Sequence, residues 1–142
     1  MLNPSVKLGT STPGADPAGD YAWALFRKAE LVQPGACAAL DGKALKLTGS
    51  AGAAKALAGR GTYAWLMDEG RADIFLTYCT NAMSARQEVP GLKVVEIPPA
   101  LEVSVSYGLT ARSGDAAATR FAQYLLSPPA QAVFSQAGFV AP

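Results

Sequence analysis

The sequence predicts an α/β lobe built on a mixed, mainly parallel sheet flanked by helices. Short apolar runs of strand length alternate along the chain with segments whose apolar residues recur at helical spacing. The run Ala72-Asp73-Ile74-Phe75-Leu76-Thr77-Tyr78 is nearly continuous in apolar character, as expected of a strand covered on both faces in a parallel sheet. A length of 142 residues with 50% apolar content suffices for one substantial core plus an appendage.

Val6-Lys7-Leu8-Gly9 reads as the first strand, and Thr10-Ser11-Thr12-Pro13-Gly14-Ala15-Asp16-Pro17 after it is a run of turn formers and prolines. Asp16 suits an N-cap and Pro17 a first helical turn, after which Tyr21, Ala24, Leu25 and Ala29 recur at helical spacing. The stretch from Gln33 to Gly52 reads mostly as loop, with only Leu45-Lys46-Leu47 strand-like. Ala53 to Ala58 reads as a short helical piece broken at Gly59-Arg60-Gly61. A further helix starts near Gly61, carries Tyr63, Ala64, Leu66 and Met67 on its apolar face, and ends at Gly70.

Leu92 to Ile97 and Val103 to Ala111 predict two more strands, the first closed by Pro98-Pro99, the second with Val103, Val105, Tyr107 and Leu109 in alternation. Two helices close the chain. One runs from Ala116 to Leu126 with Phe121, Tyr124 and Leu125, and Pro128 opens the other, which stops at Gly138. Ligands in open parallel sheets sit off the carboxyl ends of the strands, where Thr10 and Tyr78 fall.

Composition narrows the function. Twelve Lys and Arg against eleven Asp and Glu give a net charge of +1, too little field to hold a nucleic acid or an anionic membrane surface. No apolar run approaches the roughly 20 residues of a membrane span, and Met1-Leu2-Asn3-Pro4 lacks the basic and apolar segments of a signal peptide. Histidine is absent, which removes His-based triads together with the commonest general base and metal ligand. Cys37 and Cys79 stand far apart with no CxxC pairing, so no metal site is predicted, and whether the two pair stays open. No cofactor is predicted, and a ligand-binding lobe is favoured over an enzyme.

The glycine-rich stretches test poorly as nucleotide loops. Gly49-Ser50-Ala51-Gly52-Ala53-Ala54-Lys55 lacks the Gly-Lys-Ser/Thr ending of a phosphate loop. Gly59-Arg60-Gly61-Thr62-Tyr63-Ala64 satisfies GxGxxA but follows no strand, and no acidic residue waits ~20 positions on for a ribose. Two helix starts remain, one at Gly61 and one at Ala18-Gly19, each offering backbone N–H groups and a positive dipole end to an anion. A plain helix–helix turn and an ordinary capped helix have the same sequence pattern. Tyr78, at the end of its strand, is a candidate hydroxyl donor or a core tyrosine, and Arg60 is a ligand-facing cation or a solvated one.

Ser11 to Ala22 with its apolar helix, Gly70 to Ala82, and the ending Ala116 to Phe139 with Leu125-Leu126-Ser127-Pro128 and Gly138-Phe139 together resemble the molybdate-binding proteins of ABC importers. The resemblance implies a two-lobed periplasmic binding protein of the second structural type, which closes on a tetrahedral oxyanion, molybdate or tungstate, and hands it to a membrane permease. It implies that residues 1–104 are the second, ligand-binding lobe. Residues 105–142 would be the return strand and C-terminal helices that pack on a first lobe, whose serine-bearing loops nothing before Val6 supplies. Pro17-Ala18-Gly19 matches the helix start whose alanine N–H contacts the oxyanion, and Tyr78 matches the tyrosine whose hydroxyl reaches it.

Counting back from Tyr78, the remaining backbone contact falls on Arg60, where the family carries an aliphatic residue. Arg60 then donates its N–H, adds a charge to the site, or marks an alignment shifted by the longer Gln33 to Gly59 segment. A dianion held by neutral N–H and O–H donors needs no full countercharge, because each desolvated donor makes a charge-assisted bond. The apolar faces of the last helices, with Phe121, Leu125, Phe134 and Phe139, would fold back on the lobe or pair with another copy of the chain. Competing readings are a sensory effector lobe for a small anion and a small enzyme using Cys79 as nucleophile.

Overall fold

Strand β1 (Leu8–Ser11) lies between β2 (Ala44–Thr48) and β3 (Ile74–Phe75) in a three-stranded sheet of order β2-β1-β3, in a computed structural model that describes residues 1–140. Both pairings are parallel: Leu8 faces Ala44 on one side and Ile74 on the other, with a register irregularity between Thr10 and Ser11 against β2. Among the described residues both pairings are thus parallel, in keeping with the mainly parallel sheet expected. All four residues of β1 are buried. The chain divides into two compact units, Met1–Val103 and Ser104–Pro142.

In the first unit, α1 (Pro17–Val32) and α2 (Ala36–Lys43) carry the chain from β1 to β2, and α3 (Thr62–Asp68) carries it from β2 to β3. Helix α4 (Cys79–Glu88) follows β3. The core joins Leu8 of β1 to Leu25, Phe26 and Ala29 of α1 and Ala36 and Leu40 of α2. Trp23 packs on Phe26 with ring centroids 5.0 Å apart, and its indole N–H donates to Asp41 at 2.9 Å. Gly9 is required by close approach, since a Cβ there would lie 2.6 Å from the Phe75 ring.

Helix α2 occupies part of the stretch expected to be loop. Its N-terminal donors are capped from a distance: the Glu30 carboxylate, on α1, accepts the N–H groups of Gly35 and Cys37, both at 2.9 Å. Such a tertiary cap leaves no local trace in an Ala- and Gly-rich sequence. Helix α4 was likewise not expected. It has no apolar stripe, and Ala85 is its one buried residue.

Four expected elements are corrected. Ala53 to Ala58 is not helical but irregular chain that enters a turn at Ala58, with Gly49 and Gly59 to either side at φ of 85° and 82°. Six residues without a cap cannot offset the cost of helix nucleation. Leu92 to Ile97 and Val103 to Ala111 form no strands, because among the described residues neither sheet edge pairs with them, and a strand exists only through its ladder. The strand expected over Ala72 to Tyr78 is paired only at Ile74–Phe75 and is half-buried there, not covered on both faces.

The second unit holds α5 (Ala116–Leu125) and α6 (Pro128–Gln136). Asp115 caps α5 by accepting from Ala117 and Ala118, both at 2.9 Å. The Gln131 amide ties the helices together by donating to the Leu125 carbonyl at 2.8 Å. Phe139 stacks edge-on against Tyr107 and Phe134. Cys37 and Cys79 are both free thiols. No helix of the described residues is long and apolar enough to cross a membrane.

Candidate functional site

Because all three strands are parallel, their carboxyl ends share one edge of the sheet; Ala18 and Gly19 follow the end of β1 there, while of Ala18, Gly19, Arg60, Gly61 and Tyr78 it is Arg60 that lines the pocket beside the end of β2. Ser11 and Thr48, both buried, join the ends of β1 and β2 through a hydroxyl pair at 2.7 Å. Thr12 adds two bonds to the Thr48 carbonyl, from its N–H at 2.9 Å and its hydroxyl at 2.8 Å.

The start of α1 is built as its sequence dictates. The Asp16 carboxylate accepts the Ala18 N–H at 3.0 Å, and the Gly19 N–H donates to the Asp16 carbonyl at 2.9 Å. Both donors offered to an anion by the sequence are thus engaged within the helix start. Gly19 is small for a different reason from the one expected: a Cβ there would meet Pro13 N and Thr12 C at 2.5 Å. The room it leaves is filled by the preceding loop. Tyr21, one turn into α1, stands edge-on to Tyr78, which lies three residues beyond β3 at the N-cap of α4, with ring centroids 6.2 Å apart, so the starts of α1 and α4 meet.

Arg60 and Gly61 form a second cluster at the start of α3. The Arg60 Nε donates to one oxygen of Glu88 at 2.8 Å, and the Gly61 N–H donates to the other at 2.8 Å. The Arg60 Nη1 pairs with Asp68 at 3.0 Å, and its backbone N–H donates to the Leu57 carbonyl at 3.0 Å. Sequence reasoning missed Glu88 and Asp68. Asp68 is a surface charge one helix away from Arg60, and Glu88 stands at the end of an unexpected helix, so neither left a local signal.

Arg60 also lines a pocket of about 440 Å³ with Lys55, Thr48, Gly49, Ser50, Thr62, Tyr63 and four alanines. Gly49 presses on Asp16, its added Cβ falling 2.4 Å from the Asp16 Cβ, so the pocket wall adjoins the cap of α1. No acidic residue belongs to this lining.

The Arg60 guanidinium, then the Gly61 N–H, hold the Glu88 carboxyl below its ordinary value of 4.5, and the Gly35 and Cys37 N–H groups do the same for Glu30. In both cases the folded chain takes up the proton at lower pH than the unfolded chain. The stabilisation is therefore complete above the ordinary carboxylate value and disappears as pH falls through the lowered one. Urea unfolding from about pH 7 down to about pH 3 is expected to show a loss of stability that Glu30→Gln and Glu88→Gln each reduce. Identical pH profiles for wild type and variants would contradict it.

A parallel sheet flanked by helices, with capped helix starts, hydroxyls and a pocket at its carboxyl edge, is the arrangement of an α/β lobe. The model of the bacterial extracellular solute-binding proteins matches residues 1–140, and the chain belongs to that family. The family is one of binding proteins, not of enzymes. The uncharacterized protein PM1146 of Pasteurella multocida (strain Pm70) is 36% identical over 116 residues, which cover 82% of this chain and 48% of that protein. The chain thus spans about half the length of the curated relative it matches. No solved structure matches it.

Proposed function

We propose that the chain is the second lobe of a solute-binding protein that captures a small oxyanion, molybdate or tungstate, in the periplasm and delivers it to the permease of an ABC importer. The observation that carries the reading is the pocket at the carboxyl edge of the sheet, lined by the hydroxyl-bearing Thr48, Ser50 and Thr62, by Lys55, and by Arg60, whose guanidinium is paired with Glu88 and Asp68. The choice of anion rests on the resemblance of the Pro17-Ala18-Gly19 and Tyr78 segments. In this reading the Tyr78 hydroxyl and the Ala18 N–H contact the ligand, which takes the place of the Asp16 carboxylate at Ala18, while the Gly61 N–H stays bonded to Glu88. Gly19 acts by letting α1 approach its loop. The exposed apolar residues of the second unit, Phe121, Tyr124, Leu126 and Val133, are covered by a further lobe or by another copy of the chain.

Calorimetric titration of the chain with molybdate, tungstate and sulfate is expected to show weak, saturable binding of the first two. Absence of binding to all three at millimolar concentration would end the reading, and tight binding would show that one lobe suffices. Tyr78→Phe is expected to weaken binding by roughly tenfold to a hundredfold, the worth of one hydrogen bond to a charged partner, with thermal unfolding close to wild type. Unchanged affinity would remove Tyr78 from the site.

A further inference from the structure

The charge that Arg60 brings to the pocket is already matched. Its Nε and Nη1 are held by Glu88 at 2.8 Å and Asp68 at 3.0 Å, so one guanidinium stands between two carboxylates. That triad carries a net charge of minus one, and Lys55 on the pocket wall brings the group of four to neutrality. Glu88 is fixed by two donors at once, Arg60 and Gly61, which keeps its charge beside Arg60. The side chains of Arg60 and Glu88 are 28% and 31% exposed, so their fields are attenuated by solvent but reach a ligand bound on the Arg60 wall.

We infer that Glu88 sets the affinity and the salt dependence of this pocket: it cancels the charge of Arg60, so that an anion is held by neutral donors and by fit, with little contribution from net charge. The inference rests on the anion-binding reading above. A neutral wall discriminates by size and hydrogen-bond geometry, because every anion of a given charge gains equally from a net positive field. It also makes affinity nearly independent of ionic strength, since no long-range attraction remains to be screened.

Sodium molybdate and sodium sulfate titrated into wild type, Glu88→Gln, Glu88→Ala and Asp68→Asn, at low salt and at physiological ionic strength, test this. Each variant removes one negative charge near Arg60. Binding of both anions is expected to tighten by about fivefold at low salt, with the gain shrinking as salt rises, while wild type changes little. Loss of a merely structural contact would weaken binding and leave no salt dependence. Unchanged or weaker affinity in variants that unfold thermally like wild type, with wild type still binding, would overturn the inference and leave the anion-binding reading standing. Absence of binding by wild type and every variant would overturn both. Should the Glu88 variants fail to fold, Asp68→Asn carries the same test, because Asp68 is exposed and holds no backbone donor in the described contacts.

Discussion

Gly19→Ala is expected to destabilise the chain by about 3 kcal/mol, read as a lower urea midpoint at unchanged slope. The added Cβ would lie 2.5 Å from Pro13 N and Thr12 C and 2.7 Å from the Thr12 carbonyl oxygen. All three are backbone atoms, so no change of rotamer relieves the clash, and either α1 or the loop from Thr12 must move. The same displacement would carry Ala18 and Tyr21 away from Tyr78, so the candidate site should be lost with the stability. Gly61→Ala is the informative control. Its Cβ would meet the end of the Glu88 side chain at 3.0 Å, a group free to shift, and the cost should be much smaller. An unchanged midpoint for Gly19→Ala would show that the loop yields freely.

Phe26→Ala is expected to cost about 4 kcal/mol, a large share of the ~5–15 kcal/mol that hold a typical domain together. Phe26 is fully buried among Leu8, Leu25 and Leu40, with the Trp23 ring against it. It joins β1, α1 and α2, so its loss opens a cavity where three elements meet. Urea unfolding followed by tryptophan fluorescence checks this. A loss below ~1 kcal/mol would mean that the surrounding side chains collapse into the space.

The parts of the fold legible in the sequence are those whose signals are local. Asp16 and Pro17 announce α1 because the cap and the first turn lie within three residues of each other, and Pro128 announces α6 in the same way. Helix α2 was illegible because its cap is a carboxylate on another helix, and α4 because it buries almost nothing. The strands expected at Leu92 to Ile97 and Val103 to Ala111 have the right residues, but alternation states only that a strand can form, not that a partner exists. In the candidate site, sequence reasoning placed Ala18, Gly19, Arg60, Gly61 and Tyr78. It foresaw Asp16 as the cap of α1, which holds Ala18, but not that Glu88 bridges Arg60 and Gly61, since hydrogen bonds across 28 and 27 residues follow from the fold and not from spacing.

The order β2-β1-β3 also governs how the lobe is assembled in time. The strand made first is the one in the middle, and it gains its partners only when Ala44 to Thr48 and then Ile74 to Phe75 have been synthesised. Until then Leu8 to Ser11, later wholly buried, has no neighbour on either side. Every pairing in the sheet closes a long loop, which places the unit among the slower folders of its size. A nascent chain stalled before Phe75 exposes one edge of β1, and that interval is when it is most open to chaperones and to mispairing with its own kind.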